Sequence, residues 1–154
     1  MSDNHESKDA FFGVGEKKYI ESPDKVQMDA DDAARNSLIR VLGDFNKGLM
    51  RYHQAVKDPR EPGWLDEEKL KTVINDTAAT LLLDAKIVDH WNQSDSSTSF
   101  SLARLDFKKV QTAFASNNHL NRNEKTSMKF ISKWVFKNMQ LQKERKLLFK
   151  KVSE

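Results

Sequence analysis

From Val26 to Val56 an apolar or small residue returns every three or four positions: Val26, Ala30, Ala33, Ala34, Ser37, Leu38, Val41, Leu42, Phe45, Leu49, Tyr52 and Val56. A period near 3.6 held over that length describes one long helix with a buried stripe, and such a stripe must lie across a comparably long apolar surface. Ser22 is placed to cap its start, Pro23 suits the first helical position, and Asp24 sits at the positive end of the helix dipole. Pro59, Pro62 and Gly63 end it. Gly43 and Gly48 each weaken its second half by about 1 kcal/mol relative to alanine and are expected to mark a bend.

Strand signals flank this helix. Ala10-Phe11-Phe12-Gly13-Val14-Gly15 alternates aromatic or branched residues with glycine. Ala85–Trp91 and Ser99–Leu105 read as the two arms of a β-hairpin around the polar connector 92–98. Between the long helix and the hairpin, Leu70, Val73, Ile74, Thr77, Ala78, Leu81 and Leu82 outline a second helix from about Asp66, with Trp64 as a staple at its start. A short helix through Phe107, Val110 and Phe114 follows. Asn121 and Glu124 have capping-box spacing and open a last helix over about 121–151. The expectation is a single α+β domain over 10–154 behind a loose tail at 1–9. Its small antiparallel sheet of about three strands, in β-α-α-β-β-α order, is covered by long helices. With 154 residues the chain has the usual size for one such core.

The absence of cysteine rules out disulfides, thiolate catalysis and thiolate metal sites. No apolar run reaches the length of a membrane span, and no signal-peptide core opens the chain, which fits either a cytosolic protein or a mature exported one. The net charge of +3 conceals a split. Residues 1–100 hold 13 basic and 19 acidic residues, net −6, whereas 101–154 hold 13 and 4, net +9. The basic end can meet an anionic partner, dock on the chain's own acidic part, or be a solvated face.

Motifs for chemistry are missing. Gly13-x-Gly15 lacks the third glycine of a dinucleotide fingerprint, and close strand packing explains it. The histidines His5, His53, His90 and His119 have no histidine partner at helical spacing. Asp89 and His90 are neighbours on a strand and point to opposite faces, so His90 reads as a surface residue beside a structural carboxylate. Asp29, Asp31 and Asp32 lack the other ligands of a calcium loop and read as a solvated patch or a receptor for the basic helix. The expectation is no catalytic residue, no metal, no cofactor and no enzymatic activity.

The last helix is the one segment with functional leverage. Lys125, Lys129, Lys133 and Lys137 repeat every four residues as a stripe beside an apolar side made of Met128, Ile131, Trp134, Val135 and Leu148. Phe136 and Leu147 fall off that apolar side, which predicts a second contact there. A basic amphipathic helix with aromatic residues suits a membrane surface or a groove in a partner.

Four segments together resemble the Lpp-twenty family of bacterial envelope proteins, named for the twenty-kilodalton lipoprotein of Helicobacter. They are Gly13-Val14-Gly15-Glu16 after a strand, Ala33-Ala34-Arg35-Asn36-Ser37-Leu38-Ile39 in the long helix, Ile87-Val88-Asp89-His90-Trp91, and Phe100-Ser101-Leu102-Ala103-Arg104-Leu105. The likeness covers roughly residues 10–107, and no lipobox cysteine is present. It implies a non-enzymatic interaction or scaffold protein, periplasmic or anchored at the outer membrane of a Gram-negative cell. Its partners would be an envelope protein or an anionic surface, either lipid headgroups or cell-wall polymer. The alternative is a cytosolic nucleic-acid-binding module using the basic helix. Against it, no binding motif occurs, the first hundred residues are acidic, and the aromatic residues do not read as a surface stacking series.

Overall fold

The computed structural model describes residues 9–18, 23–56, 58–93 and 97–152. Its elements in chain order are β1 (Ala10–Lys18), α1 (Pro23–Val56), α2 (Glu67–Asp84), β2 (Lys86–Gln93), β3 (Thr98–Asp106), α3 (Phe107–Ala115) and α4 (Arg122–Val152). The fold is α+β, with a three-stranded antiparallel sheet in the order β1-β3-β2. The tail at 1–8, the Ser22 cap and residues 94–96 of the hairpin connector lie outside the described residues.

Strand pairing places β3 in the centre. Ala10 faces Asp106 and Lys18 faces Thr98 along β1–β3, while β2–β3 runs from Lys86/Arg104 to Gln93/Thr98 with an irregularity at Val88. Alternation then gives the sheet two faces. Phe11, Gly13, Gly15, Ser101, Ala103 and Leu105 are buried on one of them. Helix α1 lies across that face so closely that a Cβ at Gly13 would overlap the backbone of Ala34 and Leu38. One at Gly15 would overlap the backbone of Ala30 and Ala34. Ala30, Ala34 and Leu38 recur at four-residue intervals, so small residues on the helix meet glycines on the strand. This contact is the reason for the Gly-x-Gly spacing.

Helix α1 runs unbroken through Gly43 and Gly48. A Cβ at Gly48 would stand 2.6 Å from Cγ1 of Val135, so this glycine admits α4 against α1. The aromatic centre of the core joins four elements. Phe11 of β1 meets Phe45 of α1 edge-on at 5.1 Å and Phe136 of α4 at 4.9 Å, and Phe107 of α3 stacks on Phe136 at 4.3 Å. Phe136 is therefore a core residue, 6% exposed, and not the outlying contact expected of it. Around the axis it shares the arc of the lysines, but at its height Phe11 and Phe107 reach across and cover it.

Two helix starts carry side-chain caps, of which the sequence pattern predicts the one at Asn121. Asp66 accepts from the Lys69 backbone N–H at 2.8 Å. Asn121 and Glu124 exchange both capping-box bonds at 2.9 Å. Glu124 also takes the Lys69 ammonium at 2.8 Å, which ties the first turns of α2 and α4 together. Gly63, at φ +94°, turns the chain between α1 and α2 where a Cβ would stand 2.7 Å from the Asn123 carbonyl oxygen. Beside it Leu65 is buried and Trp64 half-buried. The Leu65 N–H donates to Nε2 of the buried His53 at 3.1 Å.

Candidate interaction surface

Helix α4 holds two apolar arcs, and only one of them is in the core. Met128, Ile131, Val135 and Phe136 are buried. Phe130, Trp134, Leu141 and Leu148 are 58%, 44%, 47% and 63% exposed. At about 100° per residue these four fall within roughly 40° of one another, about a quarter turn round the axis from Ile131 and Val135. They form a stripe about 27 Å long. Trp134 and Leu148 thus leave the core side on which the sequence pattern put them. Leu148 stands twenty residues beyond Met128, which returns it to the far side of the axis rather than to the same side.

Trp134 is held in place from behind: its indole stacks on the Tyr52 ring of α1 at 4.0 Å and 22°. The aromatic pair gives the stripe one rigid point at the body of the protein. Beyond Gln140 the side chains from Leu141 to Leu148 are all exposed, so this part of α4 projects past the core. A free helical segment of this length is marginal in water unless a surface covers one side.

The lysines flank that stripe. Lys129, Lys133 and Lys137 are exposed and Lys125 is half-buried. Together with Lys143 and Lys150 they occupy an arc of roughly 140° that begins beside Phe130 and Leu148. Leu147, 60% exposed, lies within that lysine arc. Its exposure agrees with an accessible position off the core side. From Arg122 to Val152 there are ten basic residues against Glu124 and Glu144, and Glu124 is engaged by Lys69.

The acidic patch on α1 does not receive this helix. Asp29 approaches Lys17 at 4.0 Å, and Asp32 meets Arg35 at 3.5 Å. Asp31 accepts from His90 Nε2 at 2.8 Å and from the buried Ser101 hydroxyl at 2.5 Å. The carboxylate beside His90 is therefore Asp31 from α1, a partner 59 residues away that sequence neighbourhood could not reveal. Asp89 instead accepts from the His90 backbone N–H. Ser101 and His90 converge on the same Asp31 oxygen, which makes the carboxylate a clamp between α1 and the sheet.

The second face of the sheet carries features that linear order conceals. Register aligns Glu16, Phe100 and Trp91 across the strands, and Phe12 with Arg104 and Lys86. Trp91 and Phe100 stack at 5.2 Å and 4°, and the Arg104 guanidinium lies 5.8 Å from the Phe12 ring centre. The aromatic residues do therefore make a short surface series, contrary to the linear reading. Acidic Glu16 and Asp89 stand on the same strands, and Asp106 takes the Arg104 Nε at 2.8 Å, so this face has no basic excess.

Among the described residues, no three histidine or carboxylate side chains gather closely enough to hold a metal ion. No helix among them is long and apolar enough to cross a membrane. No protein-family model matches the chain, and no curated protein matches it closely enough to count as a relative.

Proposed function

We propose that this is a non-enzymatic interaction and scaffold protein of the bacterial cell envelope, held by α4 against an anionic lipid surface. The observation that carries the reading is the exposed stripe Phe130, Trp134, Leu141 and Leu148 lying beside Lys129, Lys133 and Lys137. Lysines alone would suit any polyanion, cell-wall polymer and nucleic acid included. The apolar stripe selects among them, because only a bilayer interface offers hydrocarbon next to phosphate. The resemblance of residues 10–107 to an envelope family supports the same placement.

Each basic residue near an anionic bilayer contributes on the order of 1 kcal/mol, so three exposed lysines together are worth about a hundredfold in binding. Sedimentation with vesicles of phosphatidylglycerol and phosphatidylcholine is the test. The wild type should bind in proportion to the phosphatidylglycerol fraction and lose binding as salt is raised. Reversal of Lys129, Lys133 and Lys137 to glutamate should abolish it, and Leu141→Asp with Leu148→Asp should abolish it equally. Retention of binding by the leucine pair variant would reduce the contact to simple charge attraction, and duplex DNA competing on equal terms would favour the nucleic-acid reading.

A further inference from the structure

On the side away from α1 the sheet presents larger apolar residues than much of what it buries. Inward positions of β1 are Phe11, Gly13 and Gly15, whereas the outward ones are Phe12, Val14 and Glu16. On β3, Ser101 and Ala103 face the core, whereas Phe100 and Leu102 face away from it. An antiparallel sheet with one wet face ordinarily puts polar residues there. Here Val14 and Trp91 are 51% and 40% exposed, and Phe12, Phe100 and Leu102 are half-buried beside them. The register joins these five into one patch.

Charge on this face is ordered along the strands. With the row Val14–Leu102–Asp89 as the middle, Arg104 and Lys86 stand one row to one side and Glu16 one row to the other. One row further out, Asp106 follows the basic pair and Lys18 follows Glu16. The sign therefore inverts across the middle row. The Arg104 guanidinium lies 5.8 Å from the Phe12 ring centre, which brings its charge toward β1, the strand that holds Glu16.

We propose that this face is the interface of a two-fold dimer of the chain, with the axis running across the strands at Leu102. Such an axis lays each row on the row of opposite sign. Arg104 of one copy then meets Glu16 of the other, Lys86 lies over the Trp91–Phe100 stack, and Asp106 approaches Lys18. Leu102 packs on its own counterpart. Asp89 alone meets its like, at the exposed edge strand, with one oxygen already taken by the His90 N–H. An axis along the strands would instead oppose Arg104 to Arg104, so the charges select the first arrangement. With three acidic and three basic residues the face is neutral, which suits a second copy and not a polyanion. Strands about 30 Å long and about 14 Å of sheet width give roughly 400 Å² per copy, about half of a standard interface. The dimer is accordingly weak and reversible, with a dissociation constant on the order of 100 µM. At about 1 µM and below, the chain is a monomer with Trp91 open to water.

The inference does not rest on α4, and its test contains no lipid. Sedimentation equilibrium of the full chain from about 1 µM to about 1 mM should show the mass rising toward two chains. Arg104→Glu sets glutamate against Glu16 of the other copy, and Glu16→Arg sets arginine against Arg104. Each variant alone should associate at least about tenfold more weakly than the wild type, with thermal unfolding confirming that it is folded. An equimolar mixture of the two should associate again, because every contact between unlike copies pairs glutamate with arginine. Within one chain the two positions lie four residues apart along the strands, about 13 Å, so the rescue cannot be intramolecular. A wild type that stays monomeric at about 1 mM, single variants that associate undiminished, or a mixture that fails to recover would each overturn the proposal. Loss of self-association in Leu141→Asp with Leu148→Asp would overturn it too, by assigning the contact to α4.

Discussion

At Gly15 the absence of a side chain is what permits α1 to touch the sheet, since any Cβ would enter the backbone of Ala30 and Ala34. Neither side can yield: Ala30 and Ala34 are main-chain neighbours of a fully buried helix stripe, and Gly15 is paired to Ser101 in the central register. Gly15→Ala should therefore destabilise the protein by about 3 kcal/mol, at the upper end of overpacking costs, measurable by urea unfolding. Gly43→Ala, where a Cβ meets nothing within 4 Å, should instead stabilise by about 0.5–1 kcal/mol. A second residue-scale test concerns His53. It accepts the Leu65 N–H in a buried site, so His53→Ala strands that amide and should cost about 1–3 kcal/mol. Recovery of part of that loss by His53→Gln, which restores an acceptor, would distinguish the bond from simple loss of volume.

Among the elements, α4 divides into a buried half and a projecting half. Its core contacts end near Phe136 and the partly buried Met139, and from Leu141 to Leu148 all side chains are exposed. Truncation after Gln140 should therefore leave unfolding free energy within about 0.5 kcal/mol of the full chain. The same truncation should abolish vesicle binding; a large loss of stability would mean that the projecting half does pack on the body. The existence and order of the elements were legible in the sequence because each is bounded by its own chemistry. Asp66, Asn121 and Glu124 cap, Gly63 turns, and Gly13 and Gly15 alternate with larger residues. The assignment of apolar residues to particular faces of α4 was not. A helix with two apolar arcs gives a blurred period, and only the partners at each height decide which arc is buried. Phe107 and Phe11 decide it for Phe136, and among the described residues none does so for Leu148. The Asp31–His90 bond was hidden for a related reason, since it is a consequence of laying α1 across β2 and β3.

For the molecule as a whole the charge split becomes a matter of orientation. Residues 1–100 carry −6 and residues 101–154 carry +9, and ten of the 13 basic residues of the latter lie on α4, so an anionic bilayer attracts that helix above the rest of the chain. Binding through α4 should accordingly hold the protein in one attitude, with the lysine arc and the apolar stripe down. The three tryptophans report on this independently. Trp134 lies in the stripe, whereas Trp91 stacks on Phe100 on the open sheet face and Trp64 is tilted over His53. Single-tryptophan variants, with the other two changed to phenylalanine, should behave differently with phosphatidylglycerol vesicles. Trp134 emission should shift to the blue and lose access to an aqueous quencher as the indole enters the headgroup region. Trp91, exposed in the free protein, should keep its emission maximum and its quenching constant. Protection of Trp91 with Trp134 unchanged would place the membrane on the sheet face and remove α4 from the contact. Equal protection of both would point to a protein that lies on the bilayer in several attitudes, which the separation of −6 from +9 argues against.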